Sequence, residues 1–173
     1  MRSCLGVVVV TRVASPAGVV EITDAIGATF VQLHNRTWTG STIADFRRLW
    51  TALGRHRISV IAVSTPDDSR ERRADLVRHS DLVLIDRQHY SAGETVQGSL
   101  APEAYAAAVD QVRDSGKLVL VAGGLTPENV ASYVSQLNPD GVDVQTGVEV
   151  KGRPGEKDRE RLQAFISALE TAR

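Results

Sequence analysis

Cysteine is nearly absent from this sequence of 173 residues, in which Cys4 is the single example. No internal disulfide is therefore possible, which fits a reducing, cytoplasmic location. The first residues, MRSCLGVVVVTR, contain a short apolar run without a small-residue cleavage site. We interpret this run as a strand and not as a signal peptide.

Strong charge of one sign and long apolar runs are absent as well. The formal net charge is −1, whereas a protein that binds nucleic acid or an anionic membrane is expected to carry a strongly basic face. No apolar run approaches the roughly 20 residues that span a bilayer. We therefore expect neither nucleic acid nor a membrane as a partner.

Sequence motifs that bind metals or nucleotide cofactors are also missing. The sequence has no His-Glu-x-x-His, no pair of cysteines and no Gly-x-Gly-x-x-Gly. Its histidines are scattered, and no two of them stand at i, i+4 spacing. We predict no metal and no cofactor.

The sequence does contain a regular alternation of apolar runs and helix-like stretches. Six runs rich in Val, Ile and Leu predict strands that are covered on both faces, at 5–10, 29–34, 58–63, 81–86, 117–122 and 141–145. A helical pattern follows each of them, at 16–27, 41–54, 69–80, 101–116, 126–138 and 156–173. Six consecutive βα units predict a single α/β domain over residues 1–173 with a parallel sheet.

Two further segments have their own interpretation. The longest irregular stretch, 87–99, has the length of loops that act as functional lids. Arg70, Arg72 and Arg73 form a basic patch on a predicted helix, which we interpret as a solvated helix face.

Two glycine clusters stand where predicted strands end, the place where chemistry gathers in parallel α/β proteins. Gly123 and Gly124 end the fifth strand, and Thr146 and Gly147 follow the sixth. Without Cβ atoms, the glycines let backbone N–H groups approach a ligand oxygen. One such pair would more simply make a tight turn, but two clusters on neighbouring strands favour a phosphate site. Thr126 is expected to cap the helix that follows the first cluster.

Two stretches, AGGLTPENV (122–130) and NPDGVDVQTGVEVKGRPGEKD (138–158), resemble the carboxyl-terminal signature of the phosphoribosylanthranilate isomerase family. This enzyme family of tryptophan biosynthesis has an eightfold βα barrel. FVQLHN (30–35) resembles its Val-Gln-Leu-His-Gly strand end, and DLVLID (81–86) its Leu-Leu-Leu-Asp strand. The resemblance covers nearly the whole chain and matches strands three to eight of the family. It implies a shortened TIM-type barrel, a (βα)6 parallel barrel that is closed or nearly closed.

The resemblance implies an Amadori rearrangement, in which an acid protonates the ribose ring oxygen and a base removes the C2 proton. It gives the acid role to Asp86. His34 is the candidate base, because it ends another strand and an imidazole titrates near neutral pH. From the residues alone, Asp86 could instead cap a loop or pair with Arg87, and His34 could be a hydrogen-bonded structural residue.

The ends of the first and last strands supply candidate substrate-binding residues, namely Arg12, Asp143 and Gln145. Asp143 could alternatively pair with a buried neighbour. The expected partner is a small-molecule substrate, for which a phosphorylated metabolite is a candidate.

The sequence also departs from the family. Two βα units of the family precede the point where this sequence begins, and they carry its catalytic cysteine, in a Lys-Ile-Cys-Gly motif, and the arginine that holds the anthranilate carboxylate. Cys4 comes before its strand, so we interpret it as structural or incidental. Asn35 stands in place of a glycine, and Gln145 and Thr146 replace a Ser-Ser pair. The family's Gly-Gly-Thr-Gly and Phe-Asp-Trp are replaced by SAGETVQGSLAPEAY (91–105).

These departures lead to the hypothesis of a diverged enzyme of this family, with isomerase-type acid–base chemistry on a small metabolite. Two alternatives stay open: a true phosphoribosylanthranilate isomerase, or a non-catalytic binding or partner subunit that keeps the phosphate site. Six strands with open edges would expose backbone and apolar side chains. The units are expected to close on themselves, to pair with a second copy or to bind another polypeptide, and a homodimer is the prediction.

Overall fold

The computed structural model describes residues 6–55, 57–87 and 99–172. Over these residues, strands and helices alternate along the chain, as predicted. The strands are β1 (Val8–Thr11), β2 (Phe30–Leu33), β3 (Ser59–Ser64), β4 (Leu82–Ile85), β5 (Leu118–Val121) and β6 (Gly141–Val142). The helices are α1 (Pro16–Ile26), α2 (Gly40–Ala52), α3 (Arg70–His79), α4 (Glu103–Asp114), α5 (Val130–Leu137) and α6 (Arg159–Thr171), and a short 3-10 helix (Thr146–Val148) precedes α6.

The strands form one parallel sheet in chain order, β1-β2-β3-β4-β5-β6. Each strand pairs with the next one along the chain. The α/β fold with six parallel βα units is therefore confirmed. Within the described ranges β1 and β6 do not pair with each other, so the sheet is an open half-barrel and not a closed ring.

Alternation along the strands divides the sheet into an outer and an inner face, because successive side chains point to opposite sides. The outer face packs against the helices in two clusters, one around Val31 and Val60 and the other around Val83 and Val121. The inner face carries a separate apolar cluster, Ile61, Val63, Leu84 and Ala122, with Phe30, Leu82 and Leu120 packed against it. By this parity, residues 32, 34 and 86 belong to the inner face at the carboxyl ends of their strands.

Local signals explain most helix ends. The Ser15 side chain accepts a hydrogen bond from the N–H of Gly18, Pro16 occupies the first turn, and Gly27 closes α1 in the left-handed region at φ 66°. These residues provide the N-cap, the first-turn proline and the C-terminal glycine that helices favour.

Helix α5 begins later than predicted. Thr126 does not cap it; the helix starts at Val130, after a turn in which the N–H of Thr126 donates to Oδ1 of Asn129 at 2.8 Å. The Asn129 side chain thus holds the preceding turn, and the expected first helical turn becomes part of the loop.

The last strand is shorter than the predicted 141–145, although the N–H of Asp143 still donates to the carbonyl of Val121 at 2.9 Å. Cys4 and almost all of the predicted lid at 87–99 lie outside the described residues. None of the helices in the described ranges combines the length and apolar character needed to cross a bilayer.

Candidate active site

His34 and Asp86, the two predicted catalytic residues, are neighbours on the inner face of the sheet. Nε2 of His34 lies 3.5 Å from Oδ2 of Asp86. The two residues are 7% and 9% exposed, so both groups are largely withdrawn from water. The structure therefore brings together two polar groups that are 52 positions apart in the sequence; their catalytic roles remain predictions.

The strand ladders fix the backbones of this pair. The N–H of His34 donates to the carbonyl of Thr11 at 2.8 Å, and the N–H of Asp86 donates to the carbonyl of Ser64 at 2.9 Å. Each residue thus extends its strand by one position, and the alternation of the strand directs its side chain to the inner face. Beside His34 on the same strand, Nε2 of Gln32 lies 3.4 Å from Nδ1 of the imidazole.

Gly123 lies directly against the end of β4. A Cβ at this position would lie 2.8 Å from Oδ1 of Asp86 and 2.6 Å from Cβ of Arg87, closer than real Cβ contacts. Its φ of 93° also lies in the region that favours glycine. The glycine therefore allows the turn after β5 to lie closer to the carboxylate of Asp86 than any residue with a Cβ could.

The second glycine cluster reaches the same turn. A Cβ on Gly147 would lie 1.8 Å from the carbonyl oxygen of Leu125, so the 3-10 helix rests on the backbone that follows Gly124. Because β5 and β6 are parallel neighbours, their two terminal turns lie side by side, as the sequence analysis predicted.

Two carbonyl groups of the first glycine turn accept hydrogen bonds from side chains of Tyr105 and Asn129. The hydroxyl of Tyr105 donates to the carbonyl of Ala122 at 3.1 Å, and Nδ2 of Asn129 donates to the carbonyl of Gly124 at 3.0 Å. In a trans peptide the following N–H points the opposite way. The N–H groups of Gly123 and Leu125 therefore point away from these donors. In the part of the chain that the structure describes, neither they nor the N–H of Gly124 donate to a protein acceptor.

Tyr105 is well suited to hold this turn. Its side chain is fully buried, and its ring meets Tyr133 edge to face at 5.6 Å. Burial raises the pKa of the Tyr105 hydroxyl well above its usual range, so the group stays a neutral donor. Sequence reasoning did not single out Tyr105, and its position on the apolar side of a helical pattern would by itself indicate only core packing.

The remaining predicted residues lie at the rim. Arg12, Asp143, Gln145 and Thr146 are exposed at or just beyond the strand ends. Val142 and Val144 pack on the helix side, so Asp143 between them belongs to the inner face. The carbonyl of Gln145 accepts a hydrogen bond from Nζ of Lys157 at 2.7 Å.

A buried carboxylate that sequence reasoning missed organises the loop after β3. Oδ2 of Asp68 accepts hydrogen bonds from Oγ of Ser64 and from the N–H of Thr65, both at 3.0 Å. Oδ1 lies 3.3 Å from Nε of Arg72 and 3.6 Å from Nη2 of Arg36. This one side chain thus ties the loops after β2 and β3 to the start of α3.

The interpretation of Arg70, Arg72 and Arg73 as a solvated helix face is wrong for Arg73. That residue is 4% exposed, and its guanidinium donates to the carbonyls of Thr65, Pro66 and Asp68. The sequence shows the charge but not the three backbone acceptors that an adjacent loop presents to it.

The family profile described as N-(5'-phosphoribosyl)anthranilate (PRA) isomerase matches residues 2–168. The chain belongs to the phosphoribosylanthranilate isomerase family. The resemblance proposed from the glycine-rich and strand-end stretches is thereby confirmed.

Individual members of the family agree with this assignment. The N-(5'-phosphoribosyl)anthranilate isomerase of Halobacterium salinarum is 33% identical over 166 residues, which cover 92% of this chain and 68% of that protein. The crystal structure of the family enzyme from Thermus thermophilus superposes with a TM-score of 0.73 at 23% identity, covering 100% of this chain and 76% of that one. This chain thus spans about two thirds to three quarters of these relatives.

A third relative was solved with a ligand. It is a phosphoribosylanthranilate isomerase in complex with reduced 1-(o-carboxyphenylamino)-1-deoxyribulose 5-phosphate, with a TM-score of 0.68 and 20% identity, covering 99% of this chain and 74% of that one. The likeness to both solved structures shows the fold of this chain.

No group of three or more His, Cys, Asp or Glu side chains among the described residues could hold a metal ion. The absence of a metal and of a cofactor in the working protein stays a prediction.

Proposed function

We propose that this chain carries out the isomerase reaction of its family on N-(5'-phosphoribosyl)anthranilate, in tryptophan biosynthesis. The residues alone favoured a diverged enzyme, but the match to the Halobacterium protein along almost the whole chain favours the family's own reaction. The observation that carries the proposal is the buried pair of His34 and Asp86 beside the glycine turn at Gly123.

The proposed phosphate site consists of Gly123, Gly124, Thr146 and Gly147. It is supported by the contact between the two terminal turns and by the N–H groups that face away from Tyr105 and Asn129. Backbone N–H groups of this kind are suited to bind phosphate oxygens. The family structure with a ligand, which carries a 5-phosphate, is consistent with such a site.

Asp86 is the proposed general acid. In a ribose 5-phosphate, only C4, C5 and one ester oxygen separate the ring oxygen from phosphorus, so an acid for the ring oxygen must lie close to the phosphate. The close approach of the Gly123 backbone to the Asp86 carboxyl group, where an added Cβ would lie 2.8 Å from Oδ1, satisfies this requirement. A positioned acid of this type contributes about 10²–10⁴-fold in rate.

The rim residues complete the proposed site. Arg12 offers a cation, and Asp143 and Gln145 offer hydrogen-bonding groups, for the parts of the substrate that extend from the phosphate. Because the sheet edges are open, we further propose that the chain works as a homodimer. A cytoplasmic location is proposed from its single cysteine.

Replacement of the acid tests the proposal. Asp86→Asn in the full-length protein should keep the melting temperature within a few degrees and lower kcat on N-(5'-phosphoribosyl)anthranilate by about 10²-fold or more. A tryptophan auxotroph that lacks this isomerase should grow with the wild-type gene and not with the variant. Asp114→Asn, at the exposed end of α4, is the matched control and should support growth.

Three outcomes discriminate between the hypotheses. Growth with Asp86→Asn would remove this residue from the mechanism. Binding of the substrate by the wild-type chain without turnover would indicate a binding module. Turnover of a different phosphorylated aminoaldose, without complementation, would favour a diverged enzyme.

A further inference from the structure

We propose that Gln32 is a positioning residue that sets the tautomer of His34, so that the Nε2–H of His34 faces Oδ2 of Asp86 and the acid proton is carried on Oδ1. The tautomer follows from the geometry of this chain alone. Its catalytic consequence rests on the proposed function.

Gln32 covers one nitrogen of the His34 ring. Gln32 is 4% exposed on the inner face of β2, two residues before His34, and its amide nitrogen lies 3.4 Å from Nδ1 of the ring. An amide nitrogen donates and does not accept hydrogen bonds. Nδ1 must therefore be the acceptor, and the single N–H of the neutral imidazole is on Nε2.

The Nε2–H of His34 faces the carboxyl group of Asp86. Nε2 lies 3.5 Å from Oδ2 of Asp86, which is an acceptor whether the carboxyl group is ionised or protonated on its other oxygen. In the opposite tautomer, Nε2 would present a lone pair to a carboxylate oxygen. When Asp86 is ionised, only the Nε2–H tautomer of His34 fits both Gln32 and Asp86.

An added proton could go to His34 or to Asp86. If the proton went to His34, Nδ1 would gain an N–H that faces the N–H of Gln32, and two donors would oppose each other. If it goes to Asp86, Oδ2 can still face the Nε2–H of His34 while Oδ1 takes the proton. Oδ1 is the oxygen that lies against Gly123, at the proposed phosphate turn. Gln32 therefore directs the proton to the oxygen that faces the substrate.

This arrangement changes the role predicted for His34. With Nδ1 accepting from Gln32 and Nε2–H facing Oδ2 of Asp86 at 3.5 Å, neither ring nitrogen offers a lone pair to a substrate in this tautomer. His34 then acts as the hydrogen-bond partner that orients the acid, and the base that removes the C2 proton is a different group.

The tautomer can be measured without substrate, by nitrogen NMR of protein labelled with ¹⁵N at histidine. The spectrum is recorded at a pH where imidazole is neutral, and the His34 signals are identified from their loss in His34→Gln. In the wild-type protein, we expect Nδ1 to show the shift of an unprotonated nitrogen and Nε2 that of an N–H. An Nδ1–H tautomer in the wild type would overturn the proposal.

Substitution of Gln32 provides the second test. Gln32→Glu keeps the shape but replaces the donor with an acceptor, so His34 should move to the Nδ1–H tautomer or to the doubly protonated form. Gln32→Met removes both polar atoms at similar volume and should give a mixture of tautomers; it serves where the glutamate variant does not fold. Gln136→Glu on the exposed face of α5 is the matched control and should leave His34 unchanged. Unchanged His34 signals in both folded Gln32 variants would refute the proposal.

The kinetic consequence separates positioning from packing. Gln32→Glu should lower kcat by about tenfold or more, a part of the roughly 10²–10⁴-fold contribution of a positioned acid, with little change in KM. If the Gln32 variants change the His34 tautomer as expected but the wild-type protein shows no turnover, the proposed geometry is correct and the proposed function is wrong. A rise in KM with unchanged kcat would count against positioning of the acid.

Discussion

Gly123 combines two constraints that can be separated by experiment. Its φ of 93° disfavours any other residue, and its missing Cβ lets the turn touch Asp86 and Arg87. Gly155 has nearly the same φ, 88°, but a Cβ there would have no neighbour within 4 Å. A comparison of the two positions therefore isolates the close approach from the backbone strain.

We expect Gly155→Ala to lower the free energy of unfolding by about 1–2 kcal/mol, the cost of a left-handed alanine. Gly123→Ala should cost more, because the new methyl group also pushes against the Asp86 carboxyl group and the Arg87 backbone. It should also weaken the binding of inorganic phosphate, whereas Gly155→Ala should not. Urea unfolding and titration calorimetry provide the two measurements, and equal stability losses would show that the contact at Gly123 is easily relaxed.

The candidate site was only partly predictable at the scale of residues. His34, Asp86 and the glycine turns are found by locating strand ends, because parallel strands end on the same side of a sheet. Gln32, Tyr105 and Asn129 were not found, since their role comes from a contact and not from a motif. The hydrogen bond from the buried Tyr105 hydroxyl to the carbonyl of Ala122, for example, corresponds to no sequence motif.

At the scale of elements, two aspartates that directly precede strands make the same pair of hydrogen bonds to the neighbouring strand. Asp81 precedes β4, and its Oδ2 accepts from the N–H of Val60 at 2.8 Å, while its own N–H donates to the carbonyl of Val60. Asp140 precedes β6 and makes the same two bonds with Val119. Each aspartate thereby closes the ladder between its strand and the preceding one at the amino-terminal side of the sheet.

Asp81 differs from Asp140 in its charge partner. Nη2 of Arg47, on α2, lies 2.7 Å from Oδ2 of Asp81. Burial alone would raise the pKa of Asp81, but the hydrogen bonds from Arg47 and from the N–H of Val60 outweigh it and lower that pKa below its ordinary value. Asp140 has no arginine partner among the described residues, which makes it the natural control.

The lowered pKa of Asp81 predicts a pH-dependent stability. Its contribution is fully present above the pKa of an unfolded aspartate, about 3.9, and is lost as the pH falls through the lower folded-state value. Asp81→Asn should therefore cost about 1 kcal/mol at pH 7, as for a partly exposed ion pair, and less below pH 3. Urea unfolding from pH 7 to pH 2.5 measures this, with Asp140→Asn as the control. A constant difference between wild type and Asp81→Asn over this range would show that the ion pair contributes nothing.

The order of elements was predictable because each strand is a nearly unbroken run of Val, Ile and Leu and each helix has an apolar stripe. The start of α5 was not, because Thr126 and Pro127 look like a cap and a first helical residue. Asn129 competes successfully by bonding to both Gly124 and Thr126 and holding that segment as a turn. Side-chain bonds to nearby backbone of this kind decide helix ends locally, and several outcomes fit one sequence.

At the scale of the whole molecule, the half-barrel leaves apolar side chains of its inner face in contact with solvent. On β1, Val8 is 43% exposed and Val10 is 60% exposed, and on β5 Leu118 is 50% exposed. Val8 and Val10 alternate with buried Val9, so they belong to the inner face. Their exposure follows from the lack of a second neighbour for β1 in the described structure.

An exposed strand edge next to apolar side chains favours association, and we expect the isolated chain to form the proposed homodimer through this region. Multi-angle light scattering should then give a mass of two chains at micromolar concentration. Val10→Lys places a charge at the edge strand, and it should shift the mass towards one chain without unfolding the protein. Ile26→Lys is the matched control, because that side chain is also exposed, at 55%, but lies at the end of α1. A wild-type mass of one chain would contradict the dimer, and a dimer that survives Val10→Lys would place the interface elsewhere, leaving β1 to be covered by another polypeptide segment.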